Sequence, residues 1–146
     1  MAKIYKIALV FIFLGMVPLV AEAATLYFSP SSGAYTVGGT LSVNVYVSSA
    51  DQAMNAASGV ISFSQDKLEV ASLSKSGSII TLWVQEPTFL NSAGTVNFEG
   101  IVLNPGFTGV AGKIITTNFR VRRQALPILT FLPARCLPMT EKAPTF

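Results

Sequence analysis

Between Leu41 and Ser48 the chain alternates without a break: Leu41, Val43, Val45 and Val47 are aliphatic, and Ser42, Asn44, Tyr46 and Ser48 carry polar groups. Side chains of an extended strand project to opposite faces with a period of two, so this stretch sorts its apolar residues onto one face as a strand and scatters them as a helix. It can bury that face only as a half-buried strand of an antiparallel sheet. Just upstream, Leu26-Tyr27-Phe28 reads as a shorter strand, stopped by Pro30 and Gly33, and Gly38-Gly39 supplies a turn. Residues 25 to 48 therefore read as strand, turn, strand.

The same pattern recurs downstream. Strands are predicted at Ser58 to Phe63, Lys67 to Leu73, Ile79 to Gln85, Thr95 to Val102 and Lys113 to Val121, the last carrying Ile115, Thr117, Phe119 and Val121. Turn residues separate them: Ser64-Gln65-Asp66, Ser76-Gly77, Asn91-Ser92-Ala93-Gly94 and Asn104-Pro105-Gly106. After Ala24 no long window shows a helical stripe. Many short strands with closely spaced turns predict an all-β, antiparallel sandwich.

The first 23 residues have a different character. Lys3 and Lys6 precede an apolar run from Ile7 to Val20, and Ala21-Glu22-Ala23 offers small residues where signal peptidase reads them. The run is short for a membrane span of roughly 20 residues and Pro18 interrupts it. Residues 1–23 are therefore expected to be a signal peptide cleaved before Ala24, giving a secreted, extracellular or cell-surface protein.

Several function classes are excluded by what the chain lacks. It has no histidine and one cysteine, Cys136. A conventional zinc site, a Ser-His or Cys-His nucleophile pair and an intrachain disulfide cannot be built from that set. From Ala24 to Val121 four bases (Lys67, Lys75, Lys113, Arg120) face five acids (Asp51, Asp66, Glu69, Glu86, Glu99). That balance leaves no electrostatic footprint for nucleic acid or an anionic membrane. Two of the acids could in principle form a glycosidase pair. No motif fixes their separation, and they read as surface turn and strand residues. No cofactor, metal or catalytic residue is expected.

Several pieces, in order, resemble a cohesin module. They are the opening Thr25 to Ser48, the Asp66-Lys67-Leu68-Glu69-Val70 turn into a strand, and Asn97-Phe98-Glu99-Gly100 before a long loop. They end with Gly109-Val110-Ala111-Gly112-Lys113-Ile114-Ile115, read as a turn and the strand after it, followed by Phe119-Arg120-Val121. The resemblance covers residues 25 to 121. It implies an extracellular jelly-roll β-sandwich, sharing its fold with cellulose-binding modules, that works by binding. The implied partners are a dockerin-like protein or a polysaccharide, in extracellular polysaccharide degradation or surface attachment. The rival expectation is a structural cell-surface or adhesion sandwich with neither ligand. In type I cohesins an Asn and an Asp on strand three contact the dockerin; here those places fall near Ala56 and Ser58, which cannot make the same hydrogen bonds well.

After Val121 the sequence changes. Residues 122–146 hold four prolines (Pro127, Pro133, Pro138, Pro144) against three in the preceding 98 residues. Proline cannot donate to a ladder, so no central strand is expected there, and the last strands of the sandwich are expected to be missing or garbled. If the codons are read one nucleotide earlier, Met139-Thr140 must yield Asp. Residues 125 to 146 then permit Gly-Ser-Ala-Asn-Leu-Asn-Phe-Ser-Ser-Gly-Ser-Val-Phe-Ala-Asn-Asp-Gly-Lys-Gly-Thr-Asn-Ile, which resembles the end of a cohesin-like module. The chain is thus expected to divide into a signal peptide (1–23), a cohesin-like sandwich (24–121) and an aberrant or disordered tail (122–146), for which a frameshift near Arg122-Arg123 is the favoured account and a genuine disordered tail of Pro and basic residues the alternative.

Tyr27, Tyr35, Tyr46, Trp83, Phe89 and Phe107 are the aromatic candidates for sugar stacking, with Trp83 and Tyr46 the ligand-binding expectation. For Trp83 the reading turns on strand facing. If Leu82 and Val84 point to the core, Trp83 is exposed; if they point outward, Trp83 is a core residue.

Overall fold

In the computed structural model, which describes residues 24–123, 129–132 and 135–138, the alternating stretch from Leu41 is the start of a strand of 24 residues, β2 (Thr40–Phe63). Around it stand β1 (Thr25–Ser29), β3 (Leu68–Ser74), β4 (Leu82–Leu90), β5 (Thr95–Ile101), β6 (Phe107–Val121), β7 (Leu129–Phe131) and β8 (Arg135–Pro138). Every pairing is antiparallel, and no helix occurs among the described residues.

β2 serves both layers. Its first half pairs with β1 on one side and β6 on the other, and β6 continues to β3. Its second half pairs with β5, which continues to β4, and on its other edge with β7 and β8. The inner faces of the two halves meet in one core cluster of Leu41, Val43, Val45 and Val47 with Ile61, Phe63, Val96, Phe98 and Phe119. Phe63 meets Phe119 edge-on with ring centroids 5.3 Å apart, which ties one layer to the other. The architecture is the β-sandwich the sequence predicts.

The predicted strands at Leu41–Ser48 and Ser58–Phe63 are one continuous element. Residues 49 to 57 lose the alternation but contain no Gly or Pro, so nothing stops the backbone from staying extended. Register shifts at Val47/Ser49 and Ser49/Met54 carry the strand from one layer to the other. Likewise Gly109-Val110-Ala111-Gly112, read as a turn, lies inside β6. Gly112 pairs with Val47 and is buried. A Cβ there would sit 2.7 Å from both Ile79 Cδ1 and the Phe107 ring, so the glycine admits their close approach. β4 begins at Leu82 rather than Ile79 and contains Pro87. It tolerates that proline because it is the edge strand of its layer and its register shifts between Gln85 and Thr88.

The prolines lead to the expectation of no central strand after Val121, and the two strands found there are short and pair with β2 alone. β7 and β8 both lie along the edge of β2, with Phe63 opposite Leu129 and Ser58 opposite Arg135. The reason is placement: β7 contains no proline, and Pro138 is the last residue of β8. Phe131 stacks on Phe28 of β1 at 4.0 Å between centroids, nearly parallel, closing the sandwich edge. Residues 1–23, read as a signal peptide, lie outside the described residues.

Candidate protein-binding face

The outer surfaces of the two layers differ in chemistry. On the layer of β1, β2, β6 and β3, strand alternation turns Ser42, Asn44, Thr116 and Asn118 outward, opposite one another across the ladder. Their polar atoms satisfy each other. Ser42 Oγ donates to Asn118 Oδ1 (2.7 Å), and Asn118 Nδ2 donates to Ser72 Oγ (2.9 Å). Thr116 Oγ1 donates to Asn44 Oδ1 (2.7 Å), and Asn44 Nδ2 donates to the Ser29 carbonyl (3.3 Å). Tyr46 stacks on its cross-strand neighbour Tyr27 at 5.5 Å, and Tyr27 donates its hydroxyl to the Val110 carbonyl. Such a face is hydrated and already paired within itself.

The layer of β8, β2, β5 and β4 is the opposite case. Val96, Phe98 and Gly100 of β5 point inward, so Ile101 and Glu99 point out. Register then sets β4. Trp83 pairs with the buried Gly100 and turns in, and Leu82 pairs with Ile101 and turns out. The register shift between Trp83 and Gln85 presents Val84 on the same outer side, against Glu99 and Ile101. Leu82, Val84 and Leu137 are 53%, 57% and 55% exposed. Val84 and Leu137 border a groove of about 190 Å³ whose lining includes Ala56, Ser58, Glu99 and Ile101. Glu99 has no ion-pair partner among the described residues. A contiguous exposed apolar patch around a groove is the surface chemistry of an interaction site, since a hydrated monomer gains nothing by displaying it.

Trp83 and Tyr46, the two expected ligand residues, are not brought together: they sit on different layers. With Leu82 and Val84 turned outward, Trp83 is half-buried against the core cluster. The Lys75 ammonium stands 5.9 Å from its ring centroid and is itself held by Glu86 at 2.6 Å. Trp83 is placed as a packing residue and not as part of an open aromatic row. Of the acids, Glu69 pairs with Arg122 (2.8 Å) and Glu86 with Lys75, and no group of three metal-ligating side chains occurs among the described residues. Burial raises the pKa of the Cys136 thiol above its ordinary value, which keeps it protonated and a poor nucleophile. Leu137 and Ile101 escaped the sequence reading as surface features. Ile101 could have been found by parity, because it is out of phase with Val96, Phe98 and Gly100.

No protein-family model and no curated protein matches the chain. Solved structures do. The sixth cohesin of scaffoldin B from Acetivibrio cellulolyticus, solved in complex with a Cel5 dockerin, is similar at TM-score 0.61 and 14% identity over 83% of this chain and 94% of that one. The cohesin module of a Clostridium perfringens family 33 glycoside hydrolase is similar at TM-score 0.60 and 8% identity, over 81% and 85% of the two chains. A non-cellulosomal cohesin from the hyperthermophilic archaeon Archaeoglobus fulgidus gives 0.59 and 19%, over 79% and 78%. The chain has a cohesin-like β-sandwich fold, as the sequence resemblance implies.

Proposed function

We propose that this chain is a secreted, non-catalytic binding module whose β8–β2–β5–β4 face takes a dockerin-like protein partner in extracellular polysaccharide degradation. The observation that carries this reading is the contrast between layers: one outer face is closed by its own hydrogen bonds, and the other exposes Val84 and Leu137 at a groove, with Leu82 exposed beside Ile101 on the same face. Similar cohesins are solved in complex with dockerins, which supports a protein rather than a sugar as ligand. The separation of Trp83 from Tyr46 argues the same way, because a glucan needs a shared aromatic platform. With Ala56 and Ser58 where type I cohesins carry Asn and Asp, apolar contact outweighs hydrogen bonding. The fitting partner buries aliphatic side chains in the groove and sets a basic group against Glu99.

The test is a double replacement, Leu82→Thr with Val84→Thr, measured by calorimetric titration against a panel of dockerins. Each side chain contributes about 1.5–3 kcal/mol when fully buried, so binding is expected to weaken by roughly a hundredfold with little change in melting temperature. Unaltered affinity, or retention on insoluble glucan with no dockerin bound, overturns the proposal.

A further inference from the structure

We propose that Ile80 and Thr81, seated against Gly100 and Ile101 of β5, are positioning residues for the groove face. They hold the start of β4 with Leu82 and Val84 outward and Trp83 inward, and so make that face aliphatic; the inference deepens the binding reading above and rests on it for the partner. Hydrophobic patterning does not choose this facing, because Leu82-Trp83-Val84 is apolar at every position. A slip of one residue would exchange the two sides and put the tryptophan where the aliphatic pair now stands. Nor does the β4–β5 turn impose it. The ladder between the two strands is interrupted between Trp83 and Gln85 and again between Gln85 and Thr88, so register set at residues 91–94 is lost before it reaches Trp83.

The constraint comes from upstream, where residues 78–81 strap one layer to the other. The Ile79 N–H donates to the Lys113 carbonyl of β6 (2.8 Å), and the Thr81 N–H donates to the Ile101 carbonyl of β5 (3.0 Å). Thr81 Oγ1 donates to that same carbonyl (3.1 Å) and accepts from the Leu103 N–H (2.9 Å). Between these anchors Ile80 is buried. It fills the space that Gly100 leaves: a Cβ on Gly100 would run into Ile80 Cγ2 and stand 3.3 Å from the Leu82 carbonyl oxygen. Ile79 is accommodated in the same way by Gly112 of the other layer. With Ile80 seated inward and Thr81 tied to Ile101, Leu82 falls opposite Ile101 and Trp83 opposite Gly100. Two residues that lie outside β4 thus decide which chemistry β4 shows to a partner.

Trp83 is the only tryptophan of the chain, so its fluorescence reports the facing directly. Ile80→Ala, Gly100→Ala and Thr81→Val are compared with the unaltered chain by emission maximum, acrylamide quenching, thermal melting and calorimetric titration against the dockerin panel. Thr81 is exposed, so Thr81→Val leaves the core intact and carries the test where a core variant fails to fold. Each folded variant is expected to emit further to the red, to be quenched more readily and to bind its dockerin roughly tenfold more weakly. The Leu82→Thr/Val84→Thr chain, which alters the face without touching the seat, is expected to lose affinity with Trp83 emission unmoved. Emission and quenching unchanged in all the folded variants, with only the melting temperature lowered, overturn the proposal, because the seat is then packing alone. A red shift with undiminished affinity overturns it as well, because facing then does not set the binding face. If the unaltered chain binds no dockerin, the binding reading fails by itself, and the emission of the variants still decides whether the seat sets the facing.

Discussion

Thr117 is the residue most at odds with its surroundings. It lies on the inner face of β6, opposite Val43 and Leu73, at 2% exposure, and its Oγ1 finds no hydrogen-bond partner among the described residues. An unpaired buried hydroxyl costs about 1–3 kcal/mol. Thr117→Val keeps the shape and removes the group, so it is expected to stabilise by about 1 kcal/mol and raise the melting temperature by roughly 4–8 °C. Asn91 is the reverse. From the β4–β5 turn its amide accepts from the Val70 N–H (2.8 Å) and donates to the Val70 carbonyl (3.0 Å), pairing with β3 as a strand residue would. Asn91→Ala leaves both backbone groups unpaired, and a loss of about 1–3 kcal/mol in denaturant unfolding is expected. The turn chemistry at 91 to 94 is legible in the sequence. The clamp on Val70 is not, because it joins residues 21 positions apart.

At the scale of elements, bulges and turns set which side chains face inward. Val45 pairs with Ile115 and Tyr46 with Lys113, so Ile114 is an extra residue in β6, and Ile114 and Ile115 are both fully buried. A bulge of this kind sends two successive side chains to one face. Period-two reading finds Ile115, Thr117, Phe119 and Val121 and passes over Ile114 for that reason. The β4–β5 hairpin depends on Gly94, which has φ of +64°, where a Cβ would run into the Phe63 carbonyl oxygen of the neighbouring strand. Gly94→Ala combines an unfavourable backbone region with a backbone clash. It is expected to lower stability by about 1–3 kcal/mol, read as a lower urea midpoint with an unchanged slope.

For the whole molecule, the division of labour between layers follows from β2 crossing from one to the other. A single strand brings Ser42 and Asn44 to a self-satisfied polar face and Ala56 and Ser58 to the grooved face. The expected far-UV circular dichroism is that of a β protein with almost no helix; a substantial helical signal would contradict the fold. Secretion is the companion expectation. Mass spectrometry of the protein recovered from periplasm or medium is expected to find Ala24 as the mature N-terminus, and a chain retaining residues 1–23 would count against it.

By itself the sequence determined the fold class, because strict alternation at Leu41–Ser48 and alternation from Ile115 to Val121 permit only half-buried strands, and turn residues spaced them for a sandwich. It also determined what the chemistry excludes, since a chain without histidine and with one cysteine lacks the side chains for those sites. Tertiary structure alone decided the facing of β4. Leu82-Trp83-Val84 is apolar throughout, so periodicity is silent, and the pairing of Trp83 with Gly100 and Leu82 with Ile101 turned the tryptophan inward and the aliphatic pair to solvent. The strands of the tail were hidden for a related reason. Proline spacing is a local signal, whereas the open edge of β2 that gathers Leu129, Phe131 and Cys136 exists only once the two layers have closed on each other.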